Sequence, residues 1–337
     1  MIWLQFVVCA TLVVVVGTML SRYADILAEK TGLGRTWVGA ILLAGATSLP
    51  ELTTGISAVT ILGNADLAAG GILGSCLFNL LLLGILDASA GSVPLLQRAE
   101  ISHILAAGLG GVLLTVVMLG LFVTQVLGLP SLGWVGLPSI AIVAIYFISV
   151  RMISHFEKRR VQEVREQEAA IYQYSAIPLW RAVVIFGLLA VAIAGLGMWL
   201  ATLGEQIAAI TGLGTSFVGV IFLAITTSLP EIVASFAALR LNAVDLAVSN
   251  IFGSNIFNIF ALAIYDLIDL PSMWENLAPI HSFTAVAATL MTSVAIVGLV
   301  YRAARRPRWY ISWDALTLIA LYLGSIYVIY VTTSVAQ

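Results

Sequence analysis

Charge is scarce in this chain. Aspartate, glutamate, lysine and arginine make up 9% of its 337 residues, against about 25% in a soluble domain. That shortage excludes an ordinary soluble fold, and a 61% hydrophobic content points to an integral membrane protein. A net charge of −2 excludes a basic surface for nucleic acid. There are only two cysteines, Cys9 and Cys76. Both fall in apolar runs, so no disulfide framework is expected. Three histidines lack metal-ligand spacing, which argues against zinc. His103 and His281 stand at the starts of apolar segments, where interfacial positions are expected, and His155 lies in a basic loop. The first apolar segment, 2–20, has no basic residues before it and no small-residue cleavage pattern after it. It reads as a transmembrane helix rather than a signal peptide.

What the chain does have is long apolar runs. Ten candidate spans of about 20 residues each fall at 2–20, 36–60, 67–90, 101–125, 134–153, 180–202, 214–239, 245–265, 280–301 and 312–334. The longest polar stretch, "RMISHFEKRRVQEVREQEAAIYQYS", separates five spans from five. The expected fold is an all-α integral membrane protein with a first repeat at 1–150, a cytoplasmic linker at 151–179 and a second repeat at 180–337. The linker is expected to form a short amphipathic or solvated helix, too short for a regulatory domain.

The halves match in sequence. "TGLGRTWVGAILLAGATSLPEL" from Thr31 returns as "TGLGTSFVGVIFLAITTSLPEI" from Thr211, and "DLAAGGILGSCLFNLL" from Asp66 returns as "DLAVSNIFGSNIFNIF" from Asp245. An odd number of spans per half requires the two copies to lie in the membrane with opposite orientation. Basic residues give the orientation. With the N-terminus outside, the cytoplasmic segments hold Arg22, Lys30, Arg35, Arg98, Arg151 to Arg181, Arg240, and Arg302 to Arg308, which is every Lys and Arg in the chain. Both termini are therefore expected to be non-cytoplasmic. Arg35 of the first copy becomes Thr215 in the second, as an inversion would demand.

The chemistry concentrates in "TSLPE". Glu51 and Glu231 each follow a proline in the middle of an apolar segment. A carboxylate near the bilayer centre costs ~2.5–3.5 kcal/mol, and proline inside a helix costs ~3 kcal/mol. For one such segment a kinked helix with a protonated, packed Glu is the lesser reading. Two at matching positions of inverted copies are better explained by a ligand. Pro50 and Pro230 free backbone carbonyls near 46–47 and 226–227, and Thr47, Ser48, Thr227 and Ser228 add hydroxyl oxygens. All-oxygen ligands with carboxylates suit hard cations such as Ca2+ or Na+. Broken helices facing one another across an inverted repeat are where secondary transporters bind ions. The second motif is "GSCLFN" against "GSNIFN". Ser75 with Asn79, and Ser254 with Asn258, share a helix face. Gly74 and Gly253 permit close helix approach. Alone this motif reads as helix packing; beside the glutamates it reads as further ligands. Asp25, Asp66, Glu205 and Asp245 sit at span ends, where charge is cheap. The Asp66 and Asp245 pair is expected to favour helix N-termini, with an access funnel as the other reading.

These segments resemble the two α-repeats of the cation/calcium exchanger superfamily, most nearly its prokaryotic sodium/calcium exchangers. The resemblance covers both repeats and the ten-span plan. It implies a central site built by two helices of each half. Glu51 and Glu231 would be the main Ca2+ carboxylates, completed by the backbone carbonyls of Thr47 and Thr227. Ser48, Ser75, Ser228 and Ser254, with the carbonyls of Ala44 and Ala224, would line flanking Na+ sites. Asn79 and Asn258 would take the remaining central positions. The chain departs from the pattern in three places. Gly71 and Cys76 stand where the second copy has Asn250 and Asn255, and position 258 is Asn where some sodium/calcium exchangers have Asp, which bears on ion stoichiometry.

Two ionised carboxylates give the site a charge of −2, which one Ca2+, two Na+ or two protons would cancel. An empty site of that charge would be too costly to reorient, so only loaded states would isomerise, with the first and sixth spans as the sliding elements. The expected function is Ca2+/Na+ antiport in an inner or plasma membrane, with no cofactor, the ions and the lipid bilayer as partners, and no nucleic acid or obligate protein partner. A proton/calcium exchanger on the same scaffold is the alternative. An intramembrane hydrolase and a passive cation channel are rivals from other classes, and nothing in the chain marks it as an enzyme.

Overall fold

The computed structural model describes residues 1–90, 93–128, 131–167, 174, 176–211, 224–269, 272–302 and 311–335. Within them the regular structure is helical. The long helices are α1 (Ile2–Thr31), α3 (Ala65–Ser89), α4 (His103–Leu127), α5 (Leu137–Gln167), α6 (Leu179–Ile210), α8 (Val244–Ile268), α9 (Ile280–Tyr301) and α10 (Trp313–Val335). Each is long and apolar enough to cross a membrane, where a helix satisfies its own backbone groups. Two shorter helices, α2 (Leu49–Thr60) and α7 (Leu229–Arg240), have 12 residues each. At 1.5 Å per residue they reach about 18 Å, roughly half of a hydrocarbon core.

Local chemistry sets several ends. α1 stops at Gly32, whose left-handed φ of 66° lets its N–H return to the Ala28 carbonyl. The Asn64 side chain caps α3 by accepting from the Leu67 N–H at 2.8 Å. α1, α5 and α6 outrun the apolar segments expected at 2–20, 134–153 and 180–202. Polar residues of these ends are held by neighbouring elements where partners are seen, Asp25 of α1 by Arg35 and Arg160 of α5 by Glu100. Asp25, expected at a span end where charge is cheap, is buried and receives the Arg35 guanidinium at 2.6 Å. Glu205 and His155 are exposed. The linker begins as the continuation of α5 to Gln167. Residues 168–173 and 175, and Arg305, Arg306 and Arg308 of the last basic segment, lie outside the described residues. So do residues 212–223, which include Thr215 and the first part of the span expected at 214–239.

α3 and α8 are buried on most of their surface and pack on each other, α8 also on α4 and α3 on α9. α1 lies outside this core and packs on α6 and α7. Polar contacts tie the helix ends together at two levels. At one, Arg98 donates to Asn242 (2.7 Å), Arg302 to the Ala99 carbonyl (2.9 Å), and Arg160 pairs with Glu100. At the other, Trp134 donates to the Leu267 carbonyl (3.3 Å) and Gln125 to the Leu277 carbonyl (2.6 Å). His103 and His281 stand at the starts of α4 and α9, are buried, and each meets an aspartate of the opposite half. Asp245 Oδ1 accepts from the Glu100 N–H (2.8 Å) and lies 3.0 Å from His103 Nε2. Asp66 Oδ1 accepts from the Ala278 N–H (2.7 Å) and lies 2.8 Å from His281 Nε2. Each aspartate thus serves the helix start of the other half.

Candidate functional site

The two glutamates owe their position to a pair of helix breaks. Ahead of α2 the chain runs through Arg35–Trp37, a wide π-helical stretch at Val38–Leu43, and Ala44–Thr47. It then breaks at Ser48, with φ −91° and ψ 6°. Residues 224–227 are helical in the same way, and Ser228 breaks at φ −87° and ψ 10°. Pro50 and Pro230 carry no N–H, so they fit the first turn of a new helix. The ladder crosses each break through the Ser48 N–H to the Ala44 carbonyl (3.0 Å) and the Leu52 N–H to the Ser48 carbonyl (3.1 Å). The Ser228 N–H to the Ala224 carbonyl (3.1 Å) and the Ile232 N–H to the Ser228 carbonyl (3.1 Å) do the same in the second half. Glu51 and Glu231 therefore sit in the first turns of α2 and α7, where the unpaired N–H groups of a helix favour negative charge.

The halves then cross. Ser48 Oγ donates to Glu231 Oε1 at 2.9 Å, and Ser228 Oγ donates to Glu51 Oε1 at 3.2 Å. Each carboxylate is held by the break of the opposite half. Both are buried, at 6% and 1% exposure. Among the described residues the remaining carboxylate oxygens, Glu51 Oε2 and Glu231 Oε2, have no hydrogen-bond partner, and neither do Asn79 Oδ1, Asn258 Oδ1 and Ser254 Oγ. Leaving a buried acceptor unmatched costs about 1–3 kcal/mol, and more when it is charged. Five such atoms belong to residues singled out from sequence.

The other residues gather with varied engagement. Thr47 Oγ1 reaches the Ala44 carbonyl (3.3 Å) and Asn250 Oδ1 (3.5 Å), while Thr227 Oγ1 donates to the Ala224 carbonyl (3.0 Å). The carbonyls of Ala44 and Ala224 thus already accept twice, from a backbone N–H and a threonine hydroxyl. Ser75 is buried on α3. Gly253 meets its expectation: a Cβ there would fall 2.2 Å from the Ala40 carbonyl oxygen. The matching region for Gly74 falls among residues 212–223, outside those described. Cys9 and Cys76 are buried free thiols.

Sequence reading missed part of the surround. Asn255 Oδ1 accepts from Asn79 Nδ2 (3.1 Å), and its own amide donates to the Cys76 carbonyl (3.3 Å). Asn250 donates to Ser235 (3.0 Å). The Tyr265 hydroxyl donates to the backbone carbonyl of Glu51 (2.9 Å). On α6, a Cβ at Gly197 would fall 2.3 Å from Pro50 and 3.5 Å from Pro230, so this glycine rests on both breaks at once. Asn250 and Asn255 were visible as mismatches between the two copies. Gly197 carries no local signal. Among the described residues no group of three or more His, Cys, Asp or Glu could hold a metal ion. The donor set is two carboxylates with neutral hydroxyl, amide and carbonyl oxygens, and that set fits a hard cation.

The sequence matches the family described as "Sodium/calcium exchanger protein" over residues 1–154 and 181–333. The chain belongs to the sodium/calcium exchanger family. The family match skips the polar stretch between α5 and α6. The chain is similar to the putative antiporter CaxA of Alkalimonas amylolytica, 27% identical with 83% of this chain and 88% of that one covered. It is also similar to the inner membrane protein YrbG of Escherichia coli, 26% identical with 88% and 90% covered. Its fold resembles that of the sodium-calcium exchanger NCX_Mj soaked with zero Na+ and Ca2+. The TM-score is 0.69 at 18% identity, covering 97% of this chain and 99% of that one. The same exchanger soaked with 10 mM Na+ and zero Ca2+ gives a TM-score of 0.67 at 19% identity, with the same coverage. As a sodium/calcium exchanger family member, the chain is a multi-pass membrane protein and a cation/Ca2+ antiporter.

Proposed function

We propose that this protein exchanges Ca2+ for Na+ by alternating access, with Glu51 and Glu231 sharing one central Ca2+. The observation that carries the proposal is the crossed pair, Ser48 to Glu231 and Ser228 to Glu51, with one oxygen of each carboxylate left without a partner among the described residues. Buried carboxylates of this kind need a counter-charge, and a divalent cation or two monovalent ones would supply it. Asn79, Asn258 and Ser254 would bring their unpartnered oxygens to the same ions. Ser75, and the carbonyls of Thr47 and Thr227, would complete the set. The carbonyls of Ala44 and Ala224 would join only once the Thr47 or Thr227 hydroxyl turns away. The neutral oxygens are the reason to favour Na+ over H+, since a proton needs no such shell.

Ten spans as two inverted repeats, 1–150 and 180–337 around the 151–179 linker, form the architecture in this proposal. The exchanged contacts of Asp66 with His281 and Asp245 with His103 support it, as does the matching pair of breaks. The gathering of Arg98, Arg160 and Arg302 at one level supports a cytoplasmic face there, with both termini on the other. The relative named an inner membrane protein supports the inner or plasma membrane as the location.

The test is radioactive Ca2+ uptake into proteoliposomes loaded either with Na+ or with an acidic buffer free of Na+. Uptake driven by the Na+ load alone is the expected result. Uptake driven by the pH gradient alone would establish the proton/calcium alternative. Counting charge moved per Ca2+ gives the coupling: electroneutral exchange means two Na+.

A further inference from the structure

α8 carries four polar side chains that α3 lacks at matching positions: Ser249, which stands where α3 has Gly70, and three more. Asn250, Asn255 and Tyr265 correspond to Gly71, Cys76 and Leu86. Tyr265 is fully buried, and its hydroxyl donates to the backbone carbonyl of Glu51 at 2.9 Å. Its ring lies against α2 one turn beyond Glu51, at Gly55. A Cβ on that glycine would fall 2.1 Å from the tyrosine Cζ and 2.2 Å from its hydroxyl oxygen. The hydrogen bond exists only because position 55 has no side chain. The second half has neither part of this device. Ser235 stands where Gly55 does, and it is engaged by Asn250 instead. Leu86 has no hydroxyl to give.

We propose that Tyr265 is a positioning residue for Glu51, so that the two site carboxylates are unequal: Glu51 is held through backbone and side chain, Glu231 through its side chain. This rests on the Ca2+ site proposed above. Calcium is bound by oxygens at about 2.3–2.6 Å, so a carboxylate already fixed in place loses less freedom when the ion arrives. Without the tyrosine hydroxyl, the first turn of α2 relaxes and the ion must order it again. The carbonyl that Tyr265 holds is not itself a ligand, so its removal acts on affinity and not on the movement of the loaded protein.

The test is Tyr265→Phe, which removes one oxygen and keeps the ring. Ca2+ uptake into Na+-loaded proteoliposomes is measured over a range of external Ca2+, alongside wild type and Glu51→Gln. The expected result is an apparent KM for Ca2+ raised about 3- to 10-fold, the size of one hydrogen bond, with the maximal rate within about twofold of wild type. Gly55→Ala, which pushes the ring away, shifts KM in the same direction if it folds. Unchanged KM in Tyr265→Phe, with Glu51→Gln inactive, overturns the positioning role and leaves the site standing. A lowered maximal rate or melting temperature at unchanged KM makes Tyr265 a packing residue and overturns it equally. Uptake retained in Glu51→Gln overturns the site itself.

Discussion

The two halves of this exchanger share a backbone plan and differ in what holds it. Each half breaks a helix at Ser-Leu-Pro-Glu, starts a new one on its proline, and sends a serine across to the other half's carboxylate. The first half leaves Gly55, Gly71 and Cys76 where the second has Ser235, Asn250 and Asn255. The polar side chains of α8 reach Thr47, Asn79, the Cys76 carbonyl and the Glu51 carbonyl, and Tyr265 takes the space over Gly55. The lesson is that duplication fixed the position of the charges, while their support came to rest mainly on one helix. A second contrast runs outward from the site. α3 and α8 are buried within the bundle and α1 is mostly at its surface.

The comparison breaks most sharply at the glutamates. Glu51→Gln and Glu231→Gln should each lower Ca2+ uptake by about 100-fold or more, because each leaves one buried charge against a divalent ion. A large loss in only one of them would mean that one half carries the site alone. The contact of the peripheral helices comes next. Gly197→Ala forces a methyl group into Pro50 and should destabilise the protein by about 1–3 kcal/mol, read as a lower melting temperature in detergent. Gly17→Ala meets the side chains of Val233, at 2.9 Å, and Ile193, at 3.7 Å, and should cost less. Equal shifts would erase the asymmetry between α1 and α6.

The crossed serines sharpen the symmetric part. Ser48→Ala and Ser228→Ala should each weaken apparent Ca2+ affinity about tenfold, the scale of a hydrogen bond to a charged group, and by similar amounts. The smallest effect belongs to Asn255→Ala, about threefold in the same assay. It unties Asn79 and the Cys76 carbonyl but touches neither carboxylate.

The sequence made the doubled breaks readable because each puts two costly residues where lipid penalises them, and the cost appears twice. Glu51, Glu231, Ser48 and Ser228 could be paired from that alone. Helix ends were less readable. Hydropathy falls after residue 20, yet α1 continues to Thr31 because Asp25 finds Arg35 beyond the turn. The burial of His103 and His281 was hidden for a related reason. Their partners, Asp245 and Asp66, lie in the other half, and periodicity within one helix says nothing about them. Tyr265 was hidden most fully. Leu86 and Tyr265 could be compared on paper, but the hydrogen bond depends on a notch at Gly55, more than two hundred positions away along the chain.

The most direct measurement counts Ca2+ on the purified protein by equilibrium dialysis with radioactive calcium in Na+-free buffer. If each half lends one carboxylate to a single ion, wild type binds one Ca2+ per chain, and either glutamine variant alone abolishes that binding at the same free Ca2+. Two Ca2+ per chain, falling to one in each variant, would mean that the carboxylates serve separate ions and would contradict the account.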